Sequence, residues 1–205
     1  MKKISARRMA IMVGGNIILG IGIGLFKVSL LGNDPSTAMV ISIAEIINID
    51  FSIVIWFVNC FWFLIQLFLG RQYIGAGTFV NWLCVGVIAS GTDKIFRAFW
   101  DVSGSFPWRI LIMGIGVLVL SLGASLYQTA DIGIAPYDSI SIILAERTGR
   151  KYFWCRMITD AFCTTIALIL GGIVGLGTLV CALGLGPFIA FFNRTVSGPL
   201  LMDKK

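Results

Sequence analysis

This chain contains no histidine and few charges. The missing imidazole removes the commonest metal ligand and the commonest general base. Charged residues make up 13% of 205, about half of what a soluble domain carries. There are five prolines, and no two of the five cysteines form a CxxC pair. Cys60, Cys84, Cys155, Cys163 and Cys181 all fall in or beside apolar segments, where they read as small buried hydrophobes. No low-complexity tract occurs, and no stretch is left over for a soluble domain. Catalysis is therefore not expected, and neither a cofactor nor a metal is implied.

What is present is apolar. Hydrophobic residues make up 58% of the chain, and mean hydropathy is +0.94. Stretches such as Met9–Leu31 and Ile110–Thr129 are long enough to cross a hydrocarbon core of roughly 30 Å. The Met1–Arg8 segment could open a signal peptide. The run after it is too long for one, so an uncleaved first helix is expected. The net charge of +6 comes from bases clustered between apolar spans, as orientation in a membrane requires, and nucleic acid is not an expected partner.

The chain is written twice. Gly22, Gly32, Pro35, Ala44 and Glu45 recur at an offset of 101 as Gly123, Gly133, Pro136, Ala145 and Glu146. After one residue is dropped, Gly75, Gly77, Thr78 and Gly86 recur as Gly175, Gly177, Thr178 and Gly186. Matched glycines, prolines and glutamates carry more weight than matched leucines, because each has its own backbone or charge cost. We expect an all-α polytopic membrane protein of two tandem repeats, 1–100 and 101–205, each with four hydrophobic segments. The segments run over about 9–31, 35–48, 51–69 and 74–97, then 108–130, 136–147, 152–170 and 174–193. The second of each set is short. If the short segments dip and return, six spans remain and the halves are inverted; if they cross, eight helices give parallel halves. Eight crossings leave only Arg71 facing out, with Lys94, Arg97 and Arg109 inside, so parallel pseudo-twofold repeats are favoured.

The sharpest local signal is Gly32-Asn33-Asp34-Pro35-Ser36-Thr37, mirrored by Gly133-Ile134-Ala135-Pro136-Tyr137-Asp138. Glycine can end the preceding helix, Asp34 is placed to cap the next, and Pro35 suits its first turn. Two such half-helix starts could face a substrate; the plainer alternative is an ordinary turn at the membrane surface. Glu45 and Glu146 end the short segments and are candidates for ion or proton coupling, although Glu146 has Arg147, Arg150 and Lys151 nearby. Asp160 is the one acid near the middle of a long apolar span, with Arg156 a helical turn before it and Asn59 as its match. The pair is either a binding site between the halves or a self-contained ion pair. Lys27, matched by Gln128, either snorkels to the interface or faces an anion, for example Asp34. The candidate solute site is thus Asp34, Glu45, Asn59, Arg156 and Asp160, with Asn33, Lys27, Gln128, Asp138 and Glu146 around it. Asn16, Gln66 and Asn81 read as interhelical hydrogen-bonding groups. The 24 glycines, with Gly20 and Gly24 in a GxxxG motif, permit close helix approach. The six tryptophans suit interface belts and lipid-facing surface.

Two Gly-x-x-Pro breaks, each followed ten residues after the proline by a glutamate, resemble the bacterial YitT/YczE/YyaS group of membrane proteins. Gly32, Pro35 and Glu45, with Gly133, Pro136 and Glu146, carry that likeness, which extends over nearly the whole chain. Ending at Lys205, the chain resembles the shorter YczE-like branch, without the soluble C-terminal domain of longer YitT members. The resemblance implies a bacterial inner-membrane protein whose activity is taken to be transport, and it supplies neither a substrate nor site residues. The expectation is a small secondary transporter for a cationic or zwitterionic organic solute, proton- or sodium-coupled, working by alternating access. The N-terminus is expected in the cytoplasm, and a homodimer suits so small a chain. The competing expectation is a non-transporting membrane regulator or scaffold partner.

Overall fold

Helix α1 (Ala6–Ser29) starts at Ser5, whose hydroxyl accepts from the Arg7 N–H at 3.3 Å, and stops where Leu30 turns left-handed at φ 55°. This computed structural model describes residues 5–99, 105–172 and 174–201; Lys2, Lys3, Trp100, Asp101, Ser103, Gly104, Lys204 and Lys205 lie outside them. The short α2 (Pro35–Ile47) follows, then α3 (Phe51–Leu69), a 3-10 turn (Arg71–Tyr73) and α4 (Ala76–Phe99). Next come α5 (Phe106–Thr129), the short α6 (Pro136–Thr148), α7 (Tyr152–Ile169) and α8 (Leu176–Phe192). Helix α8 runs through a π-turn (Asn193–Ser197) into α9 (Gly198–Leu201). No strand occurs among the described residues. By length and hydropathy α1, α3, α5 and the α8–α9 segment can each cross a membrane, and this is an all-helical membrane protein.

Local chemistry sets the ends. Asp34 caps α2 by accepting from the Thr37 N–H at 3.1 Å, and Pro35 occupies the first turn, as its missing N–H allows. Asp50 caps α3, accepting from the Ser52 N–H at 2.8 Å, and that bond holds its carboxyl below the usual range. Asp50→Ala should therefore cost about 1 kcal/mol, read as a lower melting temperature in detergent. Because the folded pKa is depressed, the stabilisation is present above the ordinary carboxylate pKa of ~3.9 and lost as pH falls through the folded value. The gap between the two melts should hold at neutral pH and close below about pH 4.

Helices α1 and α5 cross in direct backbone contact and run in opposite directions. A methyl group on Gly15 would sit 2.6 Å from the Tyr127 nitrogen, one on Gly22 2.6 Å from the Leu120 nitrogen, and one on Gly116 3.1 Å from the Phe26 ring. The register falls along α5 as it rises along α1. Arginines close both ends: Arg8 donates to the Ala130 carbonyl at 3.1 Å, and Arg109 to those of Ser29 and Leu30 at 2.8 and 2.6 Å. Helix α4 runs parallel to α1, with Gly20 beside Ile88, Gly24 beside Thr92 and Asn81 donating to Asn16 at 2.7 Å. Helix α3 runs against α4, with Ser52 bonded to Ser90 at 2.7 Å and Trp82 to the Trp56 carbonyl at 2.8 Å.

These directions correct two expectations. The matched helices α1 and α5 are antiparallel, so the halves are not parallel. The short segment α2 also does not carry the chain across. Lys27 near the end of α1 lies 4.3 Å above the ring of Phe51 at the start of α3, so the chain returns to the end it left. The charge count misled for a physical reason: the bases at this end are already engaged. Lys27 and Arg97 pair with Asp93 at 3.8 and 2.8 Å, Lys94 with Asp50 at 3.7 Å, and Arg109 holds carbonyls.

Each short helix packs on a long helix of the other half, α2 on α7 and α6 on α3. Ala38 and Met39 meet Cys163 and Ala167, and Ile143 fills the space above Gly70. Outward, Phe57, Phe61, Leu64 and Phe68 form an exposed apolar stripe along α3, suited to lipid. Cys155, Cys163 and Cys181 are buried free thiols, whereas Cys60 is half-buried and Cys84 exposed. Trp62 departs from the expected outward placement: it is buried, with its ring 5.6 Å from that of Tyr137.

Candidate functional site

Both helix breaks are held open by glycine. Gly32 has φ +99° and Gly133 φ +119°, a region that side chains rarely adopt, and each packs too closely for one. A methyl on Gly32 would lie 2.8 Å from the Gly175 nitrogen, and one on Gly133 2.7 Å from the Gly75 nitrogen. The Gly177 N–H donates to the Leu31 carbonyl at 2.8 Å, and the Gly77 N–H to the Ile132 carbonyl at 2.9 Å. Each break is therefore pinned to a helix start in the opposite half. Such irregular backbone survives among apolar helices only where it is buried or lines a cavity.

It does line one. The starts of α2 and α6 border a single central cavity of about 90 Å³, walled by Asp34, Thr37, Asn59, Gln128, Tyr137, Asp138 and Arg156. Arg156, on α7, is its electrostatic centre. Nη1 bonds the Asp138 carboxylate of α6 at 2.6 Å, and Nε lies 3.2 Å from Asp160. The guanidinium carbon also stands 4.9 Å over the Tyr137 ring. The Tyr137 hydroxyl donates to Asp160 at 2.5 Å, and that of Tyr127 to Asp138. Charge-assisted bonds of this kind are shorter and stronger than neutral ones, and burial raises the cost of losing any member. Counting Asp34, three carboxyl groups and one guanidinium stand at this centre, so among the described residues formal negative charge there exceeds positive by two.

Larger cavities flank the centre. One, of about 530 Å³, is lined by Lys27, Asn33, Glu45, Asp93 and Arg97 at the end where α1 and α4 finish. The other, of about 420 Å³, is lined by Gln128, Tyr152, Arg156, Asp160 and Asn193. Asn193 bonds Ser125 near the end of α5 at 2.6 Å, so this second space lies at the opposite end.

The structure brings Asp34, Asn59, Gln128, Asp138 and Arg156 to the central cavity, with Asp160 bonded to them from the second. Asn33, Lys27 and Glu45 border the first. Glu146 is corrected: it lies at the surface and accepts from Tyr73 and, at 3.3 Å, from Gln72. Its place at the outer end of α6 directs it away from the break. Lys27 faces Asp93, not Asp34. Asn81 and Asn16 bond each other, the interhelical role expected of them, whereas Gln66 donates to the Ile134 carbonyl in the connection between α5 and α6 at 3.2 Å. The tyrosines were missed. Tyr137 and Tyr127 orient the carboxylates, and Tyr152 lines the second cavity. The available signal was position: Tyr137 directly follows Pro136 at the helix start, one residue before Asp138.

Residues 6–194 match the family described as "Family of unknown function (DUF6198)". An uncharacterized protein of Haemophilus influenzae is 29% identical over 180 residues, covering 88% of this chain and 80% of that one. The uncharacterized membrane protein YczE of Bacillus subtilis is 27% identical over 121 residues, 59% of this chain and 54% of YczE. The uncharacterized protein YyaS of Bacillus subtilis is 23% identical over 173 residues, 81% and 82% of the two chains. No solved structure matches. Over that matched span, which holds both proline-started short helices and the buried ionic centre, this chain belongs to the DUF6198 family and is YczE-like.

Proposed function

We propose that this protein is a small secondary transporter for a cationic or zwitterionic organic solute, in which inverted repeats of four segments enclose the site. The supporting observation is the shared cavity. Two half-helices from different halves start at it, and three carboxylates against one guanidinium leave it electronegative. A solute ammonium would complement the unmatched carboxylate charge. A solute carboxylate would meet the N–H groups and positive dipole end of α6. Cavities at opposite ends suit alternating access, with the centre opening to one at a time. No covalent chemistry is part of this reading.

In this proposal α1, α3, α4, α5, α7 and α8 cross a bacterial inner membrane, while α2 and α6 enter and return. Arg7, Arg8, Arg71, Arg147, Arg150, Lys151 and Arg194 lie at the N-terminal end, against Lys27, Lys94, Arg97 and Arg109 at the other. That bias favours a cytoplasmic N-terminus. A homodimer belongs to the same reading, because a chain of 22.3 kDa shows so much apolar surface on α3.

Thermal-shift measurements of the purified protein against primary amines, quaternary ammonium compounds and amino acids test it, with Asp138→Asn and the surface variant Glu146→Gln in parallel. One class should stabilise the parent and Glu146→Gln by about 2.7 kcal/mol at a hundredfold excess over Kd. It should leave Asp138→Asn unmoved. A panel without any stabilising class, or an Asp138→Asn protein that responds like its parent, would sink the transport reading in favour of a scaffold.

A further inference from the structure

The two helix breaks share a design but differ in one respect. At the α6 break the Ile134 carbonyl accepts from Thr78 Oγ1 at 2.8 Å and from Gln66 Nε2 at 3.2 Å, and the one side-chain atom left there without a partner among the described residues is the neutral amide oxygen of Gln66. Isoleucine and alanine occupy the two positions before Pro136. At the α2 break Asn33 and Asp34 occupy them, and the matched Thr178 lies against Gly32. Gln66 is matched there by Ala167, which has no amide to donate. Asn33 Oδ1, Asp34 Oδ1 and Thr178 Oγ1 are all buried without a hydrogen-bond partner among the described residues. Their residues are only 5%, 9% and 2% exposed.

Unpaired buried oxygens on the adjacent Asn33 and Asp34 and on Thr178, whose hydroxyl lies against Gly32, are costly unless a donor or a cation meets them. Among the described residues no base forms an ion pair with Asp34; Arg156 is engaged by Asp138 and Asp160. Oxygen donors without nitrogen or sulfur suit a hard cation, and a single carboxylate matches a single charge.

We propose that the α2 break binds a monovalent cation, sodium, through Asp34, Asn33 and Thr178. Its role as the coupling ion rests on the transport reading above. Bound sodium would remove one of the two unmatched negative charges and leave the second for the solute.

Melting the purified full-length protein in sodium chloride and in potassium chloride, at equal ionic strength and fixed pH, tests the site. Sodium should raise the melting temperature saturably, by about 5 °C. Asp34→Asn should melt identically in both salts. Thr178→Val should require roughly tenfold more sodium for the same rise, and it decides the matter if Asp34→Asn does not fold. The proposal is overturned if the two salts give the same melt in the parent, including the case in which only pH moves it and Asp34 carries a proton. It is equally overturned if Asp34→Asn keeps the sodium response. Solute stabilisation is read separately through Asp138→Asn, so a protein that binds solute without responding to sodium disproves this site alone.

Discussion

Replacing Arg156 by methionine should remove about 3–5 kcal/mol of stability, enough to abolish folding in a protein of ordinary marginal stability. The loss does not measure the strength of two ion pairs. It measures what remains: Asp138 and Asp160, one 17% and the other 4% exposed, facing each other's charge without a cation. The same logic predicts rescue. Adding Asp138→Asn and Asp160→Asn to Arg156→Met should recover more than half of the lost stability, since the charges then disappear together. Arg156→Lys should fall between. One ammonium cannot reproduce the two-sided grip in which Nη1 takes Asp138 and Nε takes Asp160, nor the flat stacking over Tyr137. Unfolding in detergent, followed by circular dichroism, gives the order. A single variant within about 1 kcal/mol of the parent would show that the network is not held by charge.

Gly22→Leu and Gly123→Leu should each prevent the protein from folding. A Cβ on Gly22 would come within 2.6 Å of the Leu120 nitrogen, and one on Gly123 within 2.7 Å of the Leu19 Cα. The obstacle in both cases is backbone, which cannot change rotamer. The helices would have to separate, breaking the Arg8 and Arg109 bonds at the two ends of the crossing. Overpacking a well-filled core ordinarily costs about 1–3 kcal/mol, and a backbone clash at the most extensive helix contact belongs above that range. Gly14→Ala and Gly114→Ala provide the control, because nothing lies within 4 Å of a Cβ at either position. They should leave stability unchanged or raise it, alanine being the better helix former by about 1 kcal/mol. Size-exclusion profiles of the four variants separate the outcomes: a monodisperse Gly22→Leu protein would contradict the crossing described here.

Much of this architecture could be read from residue types. The short segment placed at 35–48 is the helix Pro35–Ile47, and the one at 136–147 is Pro136–Thr148. The Asp34 cap, the Pro35 first turn and the Arg156–Asp160 pair were visible because each depends on neighbours within one helical turn. Helix direction was not visible in that way. It hinges on whether Lys94, Arg97 and Arg109 are free loop charges or are held by Asp50, Asp93 and carbonyls, and pairing of that kind is set by the fold. The Arg156–Asp138 contact was missed for the same reason: it joins two helices and needs the α6–α7 packing to exist first. The tyrosines were hidden by their usual role, since an apolar ring with a polar tip is equally at home at a membrane surface.

The exchange of short helices also bears on whether either part of the chain could stand alone. A single half would leave α2 without the α7 groove it rests in, and α3 without the α6 that covers it.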